Sequence, residues 1–199
     1  AEYRVGSDGV RIQFMPNLPP SRIFDDQPFD VLMKVQNVGA ERVGGASDRV
    51  YISGFDPSII TGISAFGQPI PRLEGKTQFN MDGTFDYVSF KGVIRNLKAL
   101  NVDRYPVSPL LATVCYQYKT VSSENVCIDP DPFSPAAKTK PCIAKSTSGG
   151  TQGAPVAVGG IYLEPSTGRT RFQVDISNIG GGEVFMPGAV YLNKCSPYD

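Results

Sequence analysis

"VQNVGAERV" at residues 35–43 and "ISNIGGGEV" at residues 176–184 say nearly the same thing twice. Asn37 aligns with Asn178 at an offset of 178 − 37 = 141. The same offset pairs Val31 with Phe172, Met33 with Val174, Val35 with Ile176, Gly39 with Gly180 and Val43 with Val184. After a one-residue gap, "RVYIS" at 49–53 aligns with "AVYLN" at 189–193. Each copy therefore predicts an alternating apolar strand, an Asn-x-Gly corner, a valine, and a second strand carrying a tyrosine. Alternation turns every second side chain toward one buried face. Asparagine ends the strand because its side chain bonds local backbone, and glycine is expected to supply a positive φ or a bend. An internal repeat of this length predicts two domains of one type.

The flanking sequence reads the same way. "GVRIQFM" alternates Val10, Ile12 and Phe14 with polar partners, and "FDVLMKVQN" puts Phe29, Val31, Met33 and Val35 on one face. "NLPPSRIFDDQP" between them is a connection. "DRVYISGF" and "GTFDYVSFKGVIR" are further strands, and "SPLLATVCYQYKT" with "ENVCID" forms a hairpin that closes the first domain. Gly (21) and Pro (17) punctuate these runs without a short period, which suits short strands joined by turns. The predicted class is all-β: an antiparallel β-sandwich domain over 1–132, a linker rich in Pro, Gly and Ser over 133–153, and a partial domain over 154–199. In the last, "PVAVGGIYLEP", "RTRFQVDISNIG" and "GAVYLNKC" are three strands, with a turn in "PSTGR" near Gly168. The 54–82 segment is an insertion. In it Asp56 and Pro57 open a short helix, because Ile59, Ile60, Ile63 and Phe66 fall at helical spacing. The sharper alternative for this segment is an exposed apolar tip that docks onto a neighbour.

Composition removes several functions. Lys plus Arg (19) equal Asp plus Glu (19), so no basic field exists to attract nucleic acid. No apolar run is long enough to span a membrane as a helix. The chain has no histidine, which removes the usual general base and excludes Ser/His/Asp and Cys/His catalysts. Gly75-Lys76-Thr77 resembles the tail of a phosphate loop, but Ile70 stands where the leading glycine is needed. "GISAFG" at 62–67 is not a nucleophile elbow. No catalytic residue is assigned, and the chain is expected not to be an enzyme. No Asn-x-Ser/Thr sequon occurs.

Cysteines stand at 115, 127, 142 and 195, without a C-x-x-C pair. An even count in such a chain favours disulfides and an oxidising compartment. Among the three possible connectivities, Cys115–Cys127 with Cys142–Cys195 is preferred. Asp129 and Asp131, in "IDPDPF", are weak candidates for Ca²⁺, to which Asp25 and Asp26 could add ligands. The alternative is a rigid acidic linker extended by Pro130 and Pro132. No cofactor is expected otherwise.

"FDVLMKVQNVG" and "FQVDISNIGGG" resemble the B-strand region of the CARDB and fibronectin-type-III-like group of immunoglobulin-like domains. Such domains are common in bacterial and archaeal cell-surface proteins, and the chain as a whole resembles the archaeal ones. The resemblance implies immunoglobulin-like sandwiches, a secreted or cell-surface location, and work as spacers, adhesion modules or building units without shared catalytic residues.

The second copy is short. About six strands are expected in the first domain but three in the second, which leaves an open sheet edge and a half-covered apolar face. The missing part is expected from further chain, from strand exchange with another copy in an assembly or filament, or from extension of the first domain's sheets. The function expected is structural or adhesive, with protein partners and homo-oligomerisation. A carbohydrate- or protein-binding module using 54–82 is the second expectation, and an accessory fragment of a larger surface enzyme the third.

Overall fold

The computed structural model describes residues 3–107, 109–134, 140–188 and 191–198. Its strands are β1 (Val10–Phe14), β2 (Arg22–Phe24), β3 (Pro28–Asn37), β4 (Val43–Ser53), β5 (Ile60–Thr61), β6 (Gln68–Leu73), β7 (Phe85–Ile94), β8 (Arg104–Pro106), β9 (Leu111–Cys115), β10 (Thr147–Ser148), β11 (Val156–Ser166) and β12 (Arg169–Asn178). One short helix, α1 (Tyr191–Cys195), follows. The chain is all-β, and its sheets are antiparallel, as the alternation predicted.

Two sheets enclose the main core. One runs β1-β3-β7-β5 and the other β6-β4-β9, with β2 and β8 paired at the side. Val31, Met33 and Val35 of β3 are wholly buried between them, with Val50 and Ile52 of β4 opposite and Phe90 and Ile94 of β7 alongside. Each such side chain contributes about 1.5–3 kcal/mol by leaving water. The partners of β3 on its two sides are β1, through Ile12↔Val35 and Phe14↔Met33, and β7, through Met33↔Val88 and Val31↔Phe90. This arrangement is consistent with a β-sandwich.

The 54–82 segment joins that core rather than forming a helix. Asp56 accepts from Ser58 N at 2.9 Å and from Ser58 Oγ at 2.7 Å, and the Asp56 carbonyl takes Ile59 N and Ile60 N. That is one capped turn. The chain then extends as β5 along β7, so Ile59 and Ile60 are buried by strand pairing instead of by a helical face. β2 likewise occupies the stretch expected to be a bare connection, where Ile23 is buried.

Two further expectations fail near the C-terminus of each unit. "ENVCID" forms no strand, so the hairpin that was to close the first unit is missing. "GAVYLNKC" is not a strand either: Tyr191–Cys195 is helical, while residues 189 and 190 lie outside the described residues. Tertiary anchors override the strand pattern there. Tyr191 packs with its aligned mate Tyr51 and with Cys115 in a small second core. Its hydroxyl donates to the Ser47 carbonyl and lies 3.1 Å from Asp48 Oδ1.

The disulfides are Cys115–Cys195 and Cys127–Cys142. The preferred pairing of Cys115 with Cys127 and of Cys142 with Cys195 is therefore corrected. It required the hairpin that does not form. Without that hairpin Cys127 bonds across the Pro-rich linker to Cys142, 15 residues on. Cys115 is left for α1.

Candidate functional site

The two copies of the doublet build the same corner atom for atom. Asn37 Nδ2 donates to the carbonyl of Glu41 at 2.8 Å, and its Oδ1 accepts from Gly39 N at 3.0 Å. Asn178 Nδ2 donates to the carbonyl of Gly182 at 2.8 Å, and its Oδ1 accepts from Gly180 N at 3.2 Å. In the first copy the Gly9 carbonyl takes the N–H groups of Val38 and Gly39. In the second the Pro155 carbonyl takes those of Ile179 and Gly180. Val10 pairs with Asn37, and Val156 pairs with Asn178. β11 and β12 therefore repeat β1 and β3. The glycine has a different reason from the one expected. Neither Gly39 nor Gly180 has a positive φ. A Cβ on Gly39 would lie 2.0 Å from the Tyr118 hydroxyl, and one on Gly180 would lie 2.8 Å from Pro155 Cβ. Close approach, not a left-handed backbone, excludes a side chain.

Burial separates the copies. Val31, Met33 and Val35 are 0% exposed, whereas their mates Phe172, Val174 and Ile176 are 45%, 48% and 68% exposed. Val43 is buried, and Val184 is not. The sheet is β10-β11-β12, with β12 at its edge. Cross-strand pairing puts Leu163, Ile161 and Val158 of β11 beside Phe172, Val174 and Ile176 on one face, and Tyr162, Glu164 and Gly160 beside Gln173, Arg171 and Asp175 on the other. In the first unit the corresponding face is covered by β6-β4-β9, and the far edge of β3 by β7. Among the described residues nothing plays either part for β12. A ten-residue edge strand spans about 33 Å of unpaired backbone donors and acceptors. It has no proline, and its charges are Arg169, Arg171 and Asp175.

The sheet is held against the first unit at the end where Val156 pairs with Asn178. The Tyr118 hydroxyl donates to the Gly153 carbonyl at 2.6 Å, and that carbonyl also takes Ala40 N at 2.8 Å. Thr120 Oγ1 donates to the Val156 carbonyl at 2.7 Å. Asp48, buried in β4, accepts from Gly44 N and Gln117 N, and its Oδ1 lies 3.1 Å from the Tyr191 hydroxyl that donates to the Ser47 carbonyl. The Tyr198 hydroxyl donates to the Ile52 carbonyl. Burial raises the Tyr118 and Tyr191 hydroxyls above the ordinary tyrosine value, and the Asp48 carboxylate raises Tyr191 further. A raised folded value means that the stability these groups contribute is full below about pH 10 and is lost as pH rises through the folded value. Melting temperatures followed from pH 8 to pH 12 should fall more steeply for the native chain than for Tyr191→Phe, which has no hydroxyl to ionise. Parallel curves would remove Tyr191 as an alkaline trigger.

The candidate metal ligands are occupied by protein. Asp129 Oδ2 lies 2.6 Å from Lys140 Nζ, which also donates to the Asp131 carbonyl at 2.6 Å. That lysine, ahead of the Asp131 N–H, holds the Asp129 carboxyl below its ordinary value. Asp26 pairs with Arg95, and Asp25 accepts from Leu97 N. The carboxylates of Asp129, Asp25 and Asp26 are thus engaged, in two separate places, while Asp131 takes part through its backbone. Among the described residues no group of three or more His, Cys, Asp or Glu could hold a metal ion. Gly75-Lys76-Thr77 lines an open cleft of about 480 Å³, in which Arg4 pairs with Glu41 at 3.1 Å and Lys76 Nζ donates to the Val5 carbonyl at 3.4 Å.

A second groove, of about 370 Å³, runs between the 54–82 segment and the C-terminus. Arg49, Tyr51, Phe66, Asn193 and Tyr198 are among its lining residues. Phe66 is 83% exposed there, so it belongs to no core, contrary to the helical spacing that grouped it with Ile59 and Ile60. No helix of the described residues is long and apolar enough to cross a membrane. Comparison of the chain with protein-family models, with curated proteins and with solved structures gives no match.

Proposed function

We propose that this chain is a non-enzymatic extracellular structural or adhesion protein, a subunit of a surface assembly. In this reading it is made of immunoglobulin-like sandwich units, the second of which is completed by pairing outside the described chain. One observation carries the proposal: the face that is fully buried on β3 is repeated on β12 and left bare. An alternating strand of this kind gains its stability by being covered, so a bare copy implies a partner. Two disulfides support an oxidising, extracellular setting. The chain has no histidine to serve as a general base.

The groove beside Phe66 favours a second reading, a carbohydrate- or protein-binding module. It offers an exposed aromatic ring flanked by Tyr198, Asn193 and Arg49, the kind of platform on which sugars stack. Val174→Lys and Phe66→Ala, each compared with the native chain for self-association or incorporation into surface material and for binding to a glycan array, separate the two. Loss of assembly with Val174→Lys alone supports the structural reading. Assembly untouched by Val174→Lys, together with glycan binding abolished by Phe66→Ala, would decide for the binding module.

A further inference from the structure

We propose that the partner of β12 is β12 of a second copy, paired antiparallel about a two-fold axis through Gln173. The proposal deepens the assembly reading above and rests on it. The strand reads Arg169-Thr-Arg-Phe-Gln-Val-Asp-Ile-Ser-Asn178. Turned on itself at Gln173, it sets residue 173 − n opposite residue 173 + n of the copy. Arg171 then faces Asp175, Phe172 faces Val174, and Thr170 faces Ile176, each pair occurring twice. Opposite charges and aromatic–β-branched pairs are the cross-strand combinations that favour pairing, whereas like charges directly opposite disfavour it. Shifting the register by one residue would set the apolar face of one strand beside the polar face of the other.

The surroundings suit this register. Arg171 already leans toward Glu164 of β11 at 3.4 Å on the polar face, so pairing extends that contact into a row Glu164–Arg171–Asp175 that crosses the joint. Asp175 stands opposite Gly160 within its own sheet, and Gly160 offers no side chain to meet it. The apolar faces of the two sheets come out on the same side, so that Val158, Ile161, Leu163, Phe172, Val174 and Ile176 of both copies form one continuous surface. The interface is isologous, the form most homodimers take. All the side chains that meet across the joint are exposed or half-buried in the single chain, so pairing requires no unfolding.

The register makes a direct test. Directly opposed residues in an antiparallel pair have Cα atoms about 4.5–5.5 Å apart, within the reach of a disulfide. Gln173 faces itself across the axis, whereas Ser177 faces Arg169. All four native cysteines are bonded, so an introduced thiol is the free one. Oxidation of Gln173→Cys is expected to convert most of the protein to a covalent dimer, read by non-reducing gel and intact mass, while Ser177→Cys stays mainly monomeric. Asp175→Lys, which puts like charges opposite each other twice, is expected to weaken dimerisation in sedimentation by about ten-fold. Equal cross-linking at 173 and 177, or none at 173, overturns the self-pairing. If cross-linking fails at 173 while Val174→Lys still abolishes assembly, the partner is a different chain and the assembly reading survives. If the β12 amides that point away from β11 are protected from hydrogen exchange in a strict monomer, both readings fall.

Discussion

Asn37→Ala is expected to lower stability by about 3 kcal/mol, while Asn178→Ala lowers it by no more than about 0.5 kcal/mol. The two side chains make the same corner, and they differ in burial and in the further bond of Asn37 to the Leu73 carbonyl. Asn37 is fully buried, and it bonds the carbonyls of Glu41 and Leu73 and the N–H of Gly39. Alanine takes the Asn37 amide from the Glu41 and Leu73 carbonyls and leaves the Gly39 N–H with the Gly9 carbonyl alone, at about 1–3 kcal/mol for each buried group left unsatisfied. Partial relaxation keeps the total near 3 kcal/mol, in the lower half of the roughly 2–6 kcal/mol that two such groups would cost. For a chain of this size the loss lowers the melting temperature by roughly 6–12 °C. Around Asn178 the Gly182 carbonyl and the Gly180 N–H are exposed, and water replaces the side chain. Thermal and urea melts of the two variants beside the native chain make the comparison. Equal losses in the isolated monomer would mean that β12 is covered in solution, and the case for an open surface would fail.

The alternating strands were legible from sequence: β1, β3, β7, β11 and β12 stand where the apolar runs place them, while β4 begins at Val43, ahead of the expected "DRVYISGF", and buries Val50, Tyr51 and Ile52 in succession. They were legible because one face of each of β1, β3, β4 and β7 meets the core, and because β12 keeps the pattern even uncovered. The shortage of strands in the second unit followed from the same arithmetic, and it led to the candidate surface. What stayed hidden depended on contacts between distant segments. Ile59 and Ile60, three and four residues beyond Asp56, satisfy a helical spacing and a capped turn followed by a strand equally well, and pairing of β5 with β7 decides between them. "GAVYLNKC" has the apolar pattern of a strand, but the Tyr191 hydroxyl and Cys195 each find a fixed partner on the first unit. The self-complementary charges of Arg171 and Asp175 were present in the sequence all along. They gained meaning once the β11 register showed which side chains share a face and which edge is open.

The second large effect expected is that the two disulfides are unequal, in an order opposite to their apparent prominence in the linker. Cys115–Cys195 closes 80 residues and Cys127–Cys142 closes 15. Restricting the unfolded chain by loops of those sizes stabilises the fold by about 4.5 and about 3 kcal/mol in the chain-entropy account. The longer bridge has a native-state role as well. It fixes α1 beside β4 and β9, where Tyr191 reaches Asp48 and the Tyr198 hydroxyl reaches the Ile52 carbonyl. Breaking it frees those contacts together with the strand-poor tail after β12. The Cys127–Cys142 bridge joins two segments of irregular chain. Cys115→Ser/Cys195→Ser should therefore lose about 4 kcal/mol or more. Cys127→Ser/Cys142→Ser should lose clearly less, with the β1–β9 core intact by far-UV circular dichroism. Guanidinium melts without reductant measure both, and a non-reducing digest that links the Cys115 peptide to the Cys195 peptide checks the connectivity itself. A larger loss from the shorter bridge would show that the linker, rather than the C-terminal helix, fastens the second sheet to the first unit.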